Sequence, residues 1–379
     1  MWPLRNIRLM KTKLLLMLAQ AISASTVFAQ GSLTPPGAPA PTMKTLEQIE
    51  PRTPISSLPY SVSRPGSYYL TGTLTGIAGA SGITIASSNV TVDLNGFALV
   101  GVAGSVDGIT ANPGLKSVTV RNGSAGGWGE DGIDLFNVIG GAIERLVATL
   151  NGSHGIRTGA AFTVSHCSAT TNSYSGITVA GLSTASYCTA YDNNVVGIET
   201  GFDCTLSDCA AVGNKNGSGF AAGDGSTITG CVAAANGANG IEAGESTAVR
   251  HCTARNNGND GILVDIGSSV SLCDASDNVG DGIQVKGSCQ LASNTCSNNG
   301  HNGDGAGIHV TSYGNRIEAN TMTGNDRGLD IDSAGNFVVK NSALNNTNNY
   351  DITGTQTIGP IITATGTITT TNPWANFEF

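Results

Sequence analysis

A glycine followed by a large apolar residue returns along this chain at a nearly fixed interval. The pairs are Gly82-Ile83, Gly108-Ile109, Gly132-Ile133, Gly155-Ile156, Gly176-Ile177, Gly197-Ile198, Gly219-Phe220, Gly240-Ile241, Gly261-Ile262, Gly282-Ile283, Gly307-Ile308 and Gly328-Leu329. Consecutive glycines are 21 to 26 positions apart, most often 21. Self-similarity at such a period marks a chain wound into stacked turns. Two helices do not fit into 21 residues interrupted by Gly and Asn, so helical repeats are excluded. Composition agrees: only 12% of residues are charged, and the 52 glycines lack the every-third-residue period of collagen. Abundant Gly, Asn, Thr and Ser suits short strands separated by corners.

Other columns keep the same step. Nine residues before the glycine stand Cys167, Cys188, Cys231, Cys252 and Cys273, with Cys209 one residue further back. Five residues after this column comes asparagine, at Asn172, Asn193, Asn214, Asn236, Asn257 and Asn278, continuing at Asn299, Asn325 and Asn346. Three before it stand Val164, Ile228, Val249 and Val270. Stacked turns bring equivalent residues about 4.8 Å apart, so an inward column must tolerate itself. Isoleucine packs on isoleucine, a thiol behaves as a small hydrophobe, and one asparagine bonds the next while accepting a left-handed corner.

The first 29 residues read as an export signal. Arg5, Arg8, Lys11 and Lys13 precede a mostly apolar run from Leu14 to Phe28, and Val27-Phe28-Ala29 offers small residues for cleavage. The run is short for a bilayer span, and stable membrane insertion is not expected after cleavage. Removal leaves 14 basic against 27 acidic residues, a net charge near −13, which argues against nucleic acid as a partner. Residues 30–59 form a Pro-rich linker and short N-terminal cap, with one helical turn expected at Thr45–Glu50. Export to an oxidising compartment favours disulfides. The column spacing instead favours buried thiols, because neighbouring Cβ atoms stand slightly too far apart. Cys204 and Cys289 share a repeat position four turns apart, and Cys296 falls two places past the column. A linear thiol column is a poor tetrahedral metal cage.

The repeat Val249-Arg-His-Cys-Thr-Ala-Arg-Asn-Asn-Gly-Asn-Asp-Gly-Ile262 and the segment Asn89-Val-Thr-Val-Asp-Leu-Asn-Gly-Phe-Ala-Leu99 resemble right-handed parallel β-helix repeats of the pectate-lyase-like superfamily, which includes copper-chaperone-like periplasmic members. The resemblance implies an all-β chain: one right-handed parallel β-helix over residues 60–355, of about 12–13 coils, with N- and C-terminal caps. Residues 356–379 would be capping strands and a tail, with Trp374, Phe377 and Phe379 closing the end or forming part of a sorting signal. Activity does not follow from such a fold. The Asn-Thr-Asp, Asp-Asp, Gly-His-Gly and Arg-Ile-Lys set of polygalacturonases, the Arg-x-Pro-x-x-Arg of pectate lyases, the Asp-Pro-His of epimerases and the calcium nonapeptide are all absent.

Outward columns are where chemistry is expected. Aligned on the glycine, Asp131 stacks beside His154 and Asp134 beside Arg157, a set of candidate catalytic residues able to bind a uronate and move a proton. Trp128 in the preceding long turn is a candidate sugar-stacking surface, and Glu199 a further substrate contact. Asp260 and Asp281 share a column in neighbouring turns, with Asp265 on the same strand as Asp260. Carboxylates so close repel, and Ca2+ is the expected counterion. Turn chemistry and ordinary surface ion pairs are the plainer alternatives for both sets. His309 with Asp330 and Asp332, near His301 and Asp304, is a third candidate pair for proton transfer. His166, Tyr187 and Asp208 form a column on another face.

The reading is a secreted, periplasmic or cell-surface repeat protein that binds polysaccharide as a scaffold. The alternative is a carbohydrate-active enzyme, a lyase, hydrolase or epimerase acting on uronate-containing glycans. An ice-binding surface is disfavoured because Thr84, Thr110 and Thr178 do not form an unbroken array.

Overall fold

The computed structural model of the protein describes residues 50–379 except 301, 302, 304, 364 and 365. The expected signal (1–29), most of the linker and the helical turn before Glu50 lie outside the described residues, as do His301 and Asp304.

Each repeat folds into short strands because alternation is broken after three or four residues by a left-handed corner. In one turn the strands are Phe162–Ser165, Ser168–Thr170 and Ile177–Val179. The corner residues are His166, Thr171 and Leu182, at φ of 54°, 56° and 61°. A non-glycine residue there costs roughly 1–2 kcal/mol. The conformation persists because it turns the following side chain, Cys167, Asn172 or Ser183, into the core.

Successive turns pair in parallel and in register. Ile156 pairs with Ile177 and Ile177 with Ile198, for example. Among the described residues there is no helix, and one sheet of fourteen strands runs the length of a single solenoid of about fourteen turns. The other 28 strands form two ladders, joined through the bent strands Lys116–Gly126 and Ile139–Thr149. The turn count exceeds the expected 12–13 because the strands Tyr60–Val62 and Asn348–Ile352 stack on the same sheet without the glycine marker.

The core is a set of columns. Ile83, Ile109, Ile133, Ile156, Ile177, Ile198, Phe220, Ile241, Ile262, Ile283, Ile308 and Leu329 are all fully buried, each contributing about 1.5–3 kcal/mol by leaving water. At one corner runs the asparagine ladder. Asn172 Oδ1 accepts hydrogen bonds from the Asn151 backbone N–H at 3.2 Å and from Asn151 Nδ2 at 2.9 Å. Its own Nδ2 donates to Ala148 O at 3.2 Å and Asn193 Oδ1 at 2.9 Å. The pattern continues to Asn346, whose partner is Asn349. This ladder also explains the repeat's glycine. A Cβ on Gly176 would stand 2.7 Å from Asn193 Nδ2 and from Gly197 O, so no side chain fits.

The cysteine column lines a second corner. Cys188 N–H donates to Cys209 Sγ at 3.4 Å, and Cys167 Sγ lies 3.3 Å from Ser165 O. All nine cysteines are free and buried, so the disulfide alternative is not formed. After Cys273 the column changes to Asn294, Asn320, Asn341 and Asn376, each accepting from the turn before it. At the C-terminal end Phe377 lies in a strand paired with the last turn, while the other two aromatic residues stay open to solvent. Trp374 and Phe379 are 47% and 43% exposed. The strand Asn376–Glu378 closes the end by pairing with Ser342–Leu344, and buried Asn376 terminates the ladder.

Two outcomes test this architecture. Asn236→Ala strands the Asn214 backbone N–H and amide, and should cost at least ~2 kcal/mol in chemical denaturation. A thiol reagent should label none of the nine cysteines in the native protein and all of them after guanidinium unfolding.

Candidate functional site

The fourteen-stranded sheet presents one outward side chain per turn. Register places Asp134, Arg157, Thr178, Glu199, Ala221 and Glu242 in succession. Leu263, Gln284, His309, Asp330 and Asp351 follow in the same column. Neighbours stand about 4.8 Å apart. The corner before each strand flanks this column on one side, and the corner after it on the other.

At the N-terminal end Asp131 and His154 of the expected quartet contact each other, whereas Asp134 and Arg157 each engage Phe136. Asp131 Oδ1 accepts the His154 backbone N–H at 2.7 Å and lies 3.1 Å from His154 Nδ1. Burial alone would raise the Asp131 carboxyl, but hydrogen bonds from His154 and Ser153 hold it below the usual carboxylate range. His154 packs edge-on against Tyr174, with centroids 4.7 Å apart. Asp134 and Arg157 are register partners, yet Asp134 Oδ1 accepts the Phe136 N–H and the Arg157 guanidinium lies over the Phe136 ring at 4.1 Å. Trp128 is a correction. It is 1% exposed, and its Nε1–H donates to Leu99 O at 3.2 Å, so it offers no face to a sugar. The glycines Gly76, Gly82 and Gly108 close around its ring.

The aspartates before the glycine do structural work. Asp107 Oδ1 accepts the Asp131 N–H at 3.0 Å, Asp260 Oδ1 the Asp281 N–H at 2.8 Å, and Asp281 Oδ1 the Ala306 N–H at 2.6 Å. Asn239 does the same for Asp260 at 3.1 Å. The expected Ca2+ set of Asp260, Asp281 and Asp265 is therefore not assembled. Two of its members each commit an oxygen to the next turn. Asp265 sits at the opposite corner, paired with Lys286 at 2.7 Å, which holds its carboxyl low.

In the middle of the face lies a cleft of about 360 Å³ across five turns. Glu199, Glu242 and Leu263 stand along it, Ala221 leaves the gap between the two glutamates, and Asp265 and Lys286 form its rim. Gly223 and Gly244 keep the adjoining corner low. Ser218 Oγ donates to Glu242 at 2.9 Å and Asn239 Nδ2 at 3.3 Å, fixing that carboxylate from behind. Sequence reasoning singled out Glu199 but missed Glu242. Its signal was the shared position two after the glycine, interrupted by one alanine.

At the C-terminal end His309 is surrounded by carboxylates. Its Nδ1 lies 2.8 Å from Asp281 Oδ2, and its Nε2 3.1 Å from Asp332 Oδ2 and 3.9 Å from Asp330 Oδ2. Burial alone would lower the imidazole, but the Asp281 contact, reinforced by Asp332 and Asp330, pushes it up to about 9. His309 is thus an imidazolium at neutral pH, poorly suited to act as a base. Elsewhere, His166 and Tyr187 stack at 5.0 Å on an exposed corner.

Comparison with known proteins places this geometry. A family model described as the right handed beta helix region matches residues 101–248 and 242–370. No curated protein sequence matches the chain. Among solved structures, the mannuronan C-5 epimerase AlgE4 A-module of Azotobacter vinelandii is similar at TM-score 0.53 and 15% identity, covering 78% of this chain and 91% of its own. The AlgE6 A-module of the same organism matches at 0.46 and 16%, covering 86% and 88%. The Dettilon tailspike protein matches at 0.40 and 13%, covering 86% and 60%. At these identities the likeness is one of fold. Among the described residues, no helix is long and apolar enough to cross a membrane.

The corner aspartates yield a pH test. Burial, then the charges of Asp131, Asp134 and Glu130, push the Asp107 carboxyl from 3.8 up to about 6. Its folded pKa lies above its unfolded one, so its stabilising contribution is complete below about 3.8 and lost as pH rises through about 6. Asp107→Asn keeps the acceptor oxygen, as Asn239 does, and cannot ionise. The variant should melt higher than the parent near pH 7.5 and equally near pH 4. A lower melting point near pH 7.5 would contradict the structural reading of this column.

Proposed function

The chain belongs to the right-handed β-helix family, and from that premise we propose that it binds a polysaccharide lengthwise along the outer face of the fourteen-stranded sheet. The observation that carries this reading is the cleft running from Glu199 past Glu242 to Lys286, a recess of about 360 Å³ elongated over five turns. It is open and polar-rimmed, suited to a linear chain passing through rather than to an enclosed small molecule. Ionised carboxylates accept charge-assisted hydrogen bonds from donors such as sugar hydroxyls. Glu242 is already held by Ser218 and Asn239, so little side-chain freedom is lost on binding.

Charge narrows the ligand. The cleft lining carries Glu199, Glu242 and Asp265 against Lys286 as its only cation, and Lys286 is paired with Asp265. A polyuronate would meet like charge here, whereas a neutral, hydroxyl-rich polysaccharide would not. A second observation supports binding over uronate processing: Asp134 Oδ1 already accepts the Phe136 N–H, and the Arg157 guanidinium lies over the Phe136 ring. The mannuronan epimerase module of similar fold supports a polysaccharide as the ligand class, with the charge of this cleft distinguishing the two. The basic and apolar segment at positions 1–29 supports a location outside the cytoplasm. The burial of every thiol suits the protein to an oxidising compartment.

Native affinity electrophoresis against neutral and acidic polysaccharides, with reducing ends assayed in parallel, tests this. Retardation by a neutral polymer without new ends is expected. Ala221→Leu, a residue tolerated in this column at Leu263, should fill the recess and weaken retention by about tenfold or more, equivalent to roughly 1.4 kcal/mol. Glu242→Gln should weaken it less. New reducing ends would convert the reading to an enzyme, and equal retention of parent and Ala221→Leu would overturn the cleft as the site.

A further inference from the structure

We infer that the C-terminal end of the same face is a divalent transition-metal site, formed by Nε2 of His309 with the carboxylates of Asp330 and Asp332. Among the described residues, this is the one group of three or more His, Cys, Asp and Glu side chains whose ligand atoms all lie within 4.8 Å of one another. It is separate from the Glu199–Lys286 cleft, and its existence does not depend on what that cleft binds.

The fold builds the group from three directions. His309 and Asp330 are register partners on adjacent strands, Ala306–Val310 and Arg327–Ile331. Asp332 follows at the strand's end, where the chain turns outward. The imidazole is not free to rotate. Asp281 Oδ2 holds its Nδ1 at 2.8 Å, and Asp281 is itself pinned through Oδ1 by the Ala306 N–H at 2.6 Å. Gln284 Nε2 also approaches Nδ1, at 3.2 Å. Nε2 is therefore aimed at the two carboxylates. A carboxylate on the far nitrogen of a ligating histidine is the arrangement that orients imidazoles in metal centres. Arg327 plays the equivalent part for Asp330. It bonds Asp330 and reaches Asp351 at 3.4 Å, which fixes the carboxylate without making it neutral.

The ligand types decide the class of ion. One imidazole and two carboxylates suit Zn2+ and its neighbours in the first transition row, whereas Ca2+ takes six to eight oxygens and seldom an imidazole. Three protein ligands leave at least one position open, and the exposed Asp332 carboxylate (57% accessible) marks the side from which ions enter. On binding, the metal takes the Nε2 lone pair and the proton there leaves to solvent.

The test is calorimetric titration of the chelator-treated full chain with ZnCl2, then with CaCl2, and the visible spectrum of the Co2+ form. One Zn2+ per chain is expected, with Ca2+ at least about tenfold weaker. Asp332→Asn, at an exposed position, should reduce Zn2+ affinity by about tenfold or more and alter the Co2+ absorption, with an unchanged far-ultraviolet circular dichroism spectrum. His309→Gln should abolish the site. Asp192→Asn, outside the group and outside the cleft, should bind as the parent does. Absence of stoichiometric Zn2+ binding would overturn the inference. So would binding undiminished in both the Asp332 and His309 variants, which would place the metal elsewhere in the chain.

Discussion

Everything in this molecule depends on a buried side-chain amide that serves two turns at once. Asn193, for instance, accepts from the turn before it and donates to the turn after it. A solenoid corner must bury backbone N–H groups that no strand partner reaches, and an orphaned donor there costs about 1–3 kcal/mol. The amide solves this with one acceptor and two donors, and identical amides stacked one strand spacing apart solve it for every corner in succession. The interaction is strictly nearest-neighbour, which is why the repeat length is held so closely. A longer interval is tolerated only where the ladder keeps its register, as between Asn299 and Asn325, where Asn299 still bonds both neighbours.

Three corners use the same logic with different chemistry. Asparagine runs along one, cysteine giving way to asparagine along the second, and Ser226, Ser268, Asn315 and Asn336 serve the third. Cysteine accepts a backbone N–H weakly through sulfur, which suffices where apolar neighbours exclude water. The corner aspartates belong to this scheme as well. Their carboxylates face the outside of the sheet, but each has an oxygen bound to the next turn, so what reads as a row of acids is partly a row of caps.

Interior columns are constrained by their own repetition, and the outward column is not. Its side chains contact one another only laterally, so they vary freely from turn to turn: an arginine over a phenylalanine, two glutamates across an alanine, a histidine among carboxylates. Function resides where this variation makes a recess or a cluster. The cleft exists because Ala221 is short between two long neighbours. The His309 group exists because Asp281, one turn back and one corner over, reaches forward to hold the ring.

The solenoid was legible in the sequence because each inward column repeats a residue type at a fixed step, and stacking at one strand spacing demands such repetition. Even the change from cysteine to asparagine was there to be read: Asn294, Asn320 and Asn341 stand five residues before Asn299, Asn325 and Asn346, the same offset as Cys167 from Asn172. Column alignment also placed Asp131 beside His154 and His309 beside Asp330, since register is a property of the repeat. It misjudged Trp128, which lies in an irregular long turn where the period gives no inside or outside. It also misassigned Asp260, Asp281 and Asp265, because sharing a column says nothing about which hydrogen bonds the carboxylates already make. By itself the sequence determined the winding, the register and the buried columns, all consequences of periodic self-contact. Only the tertiary structure decided which outward groups are free, which are already bound and where the surface opens, because those depend on side-chain direction and on contacts between corners of different turns.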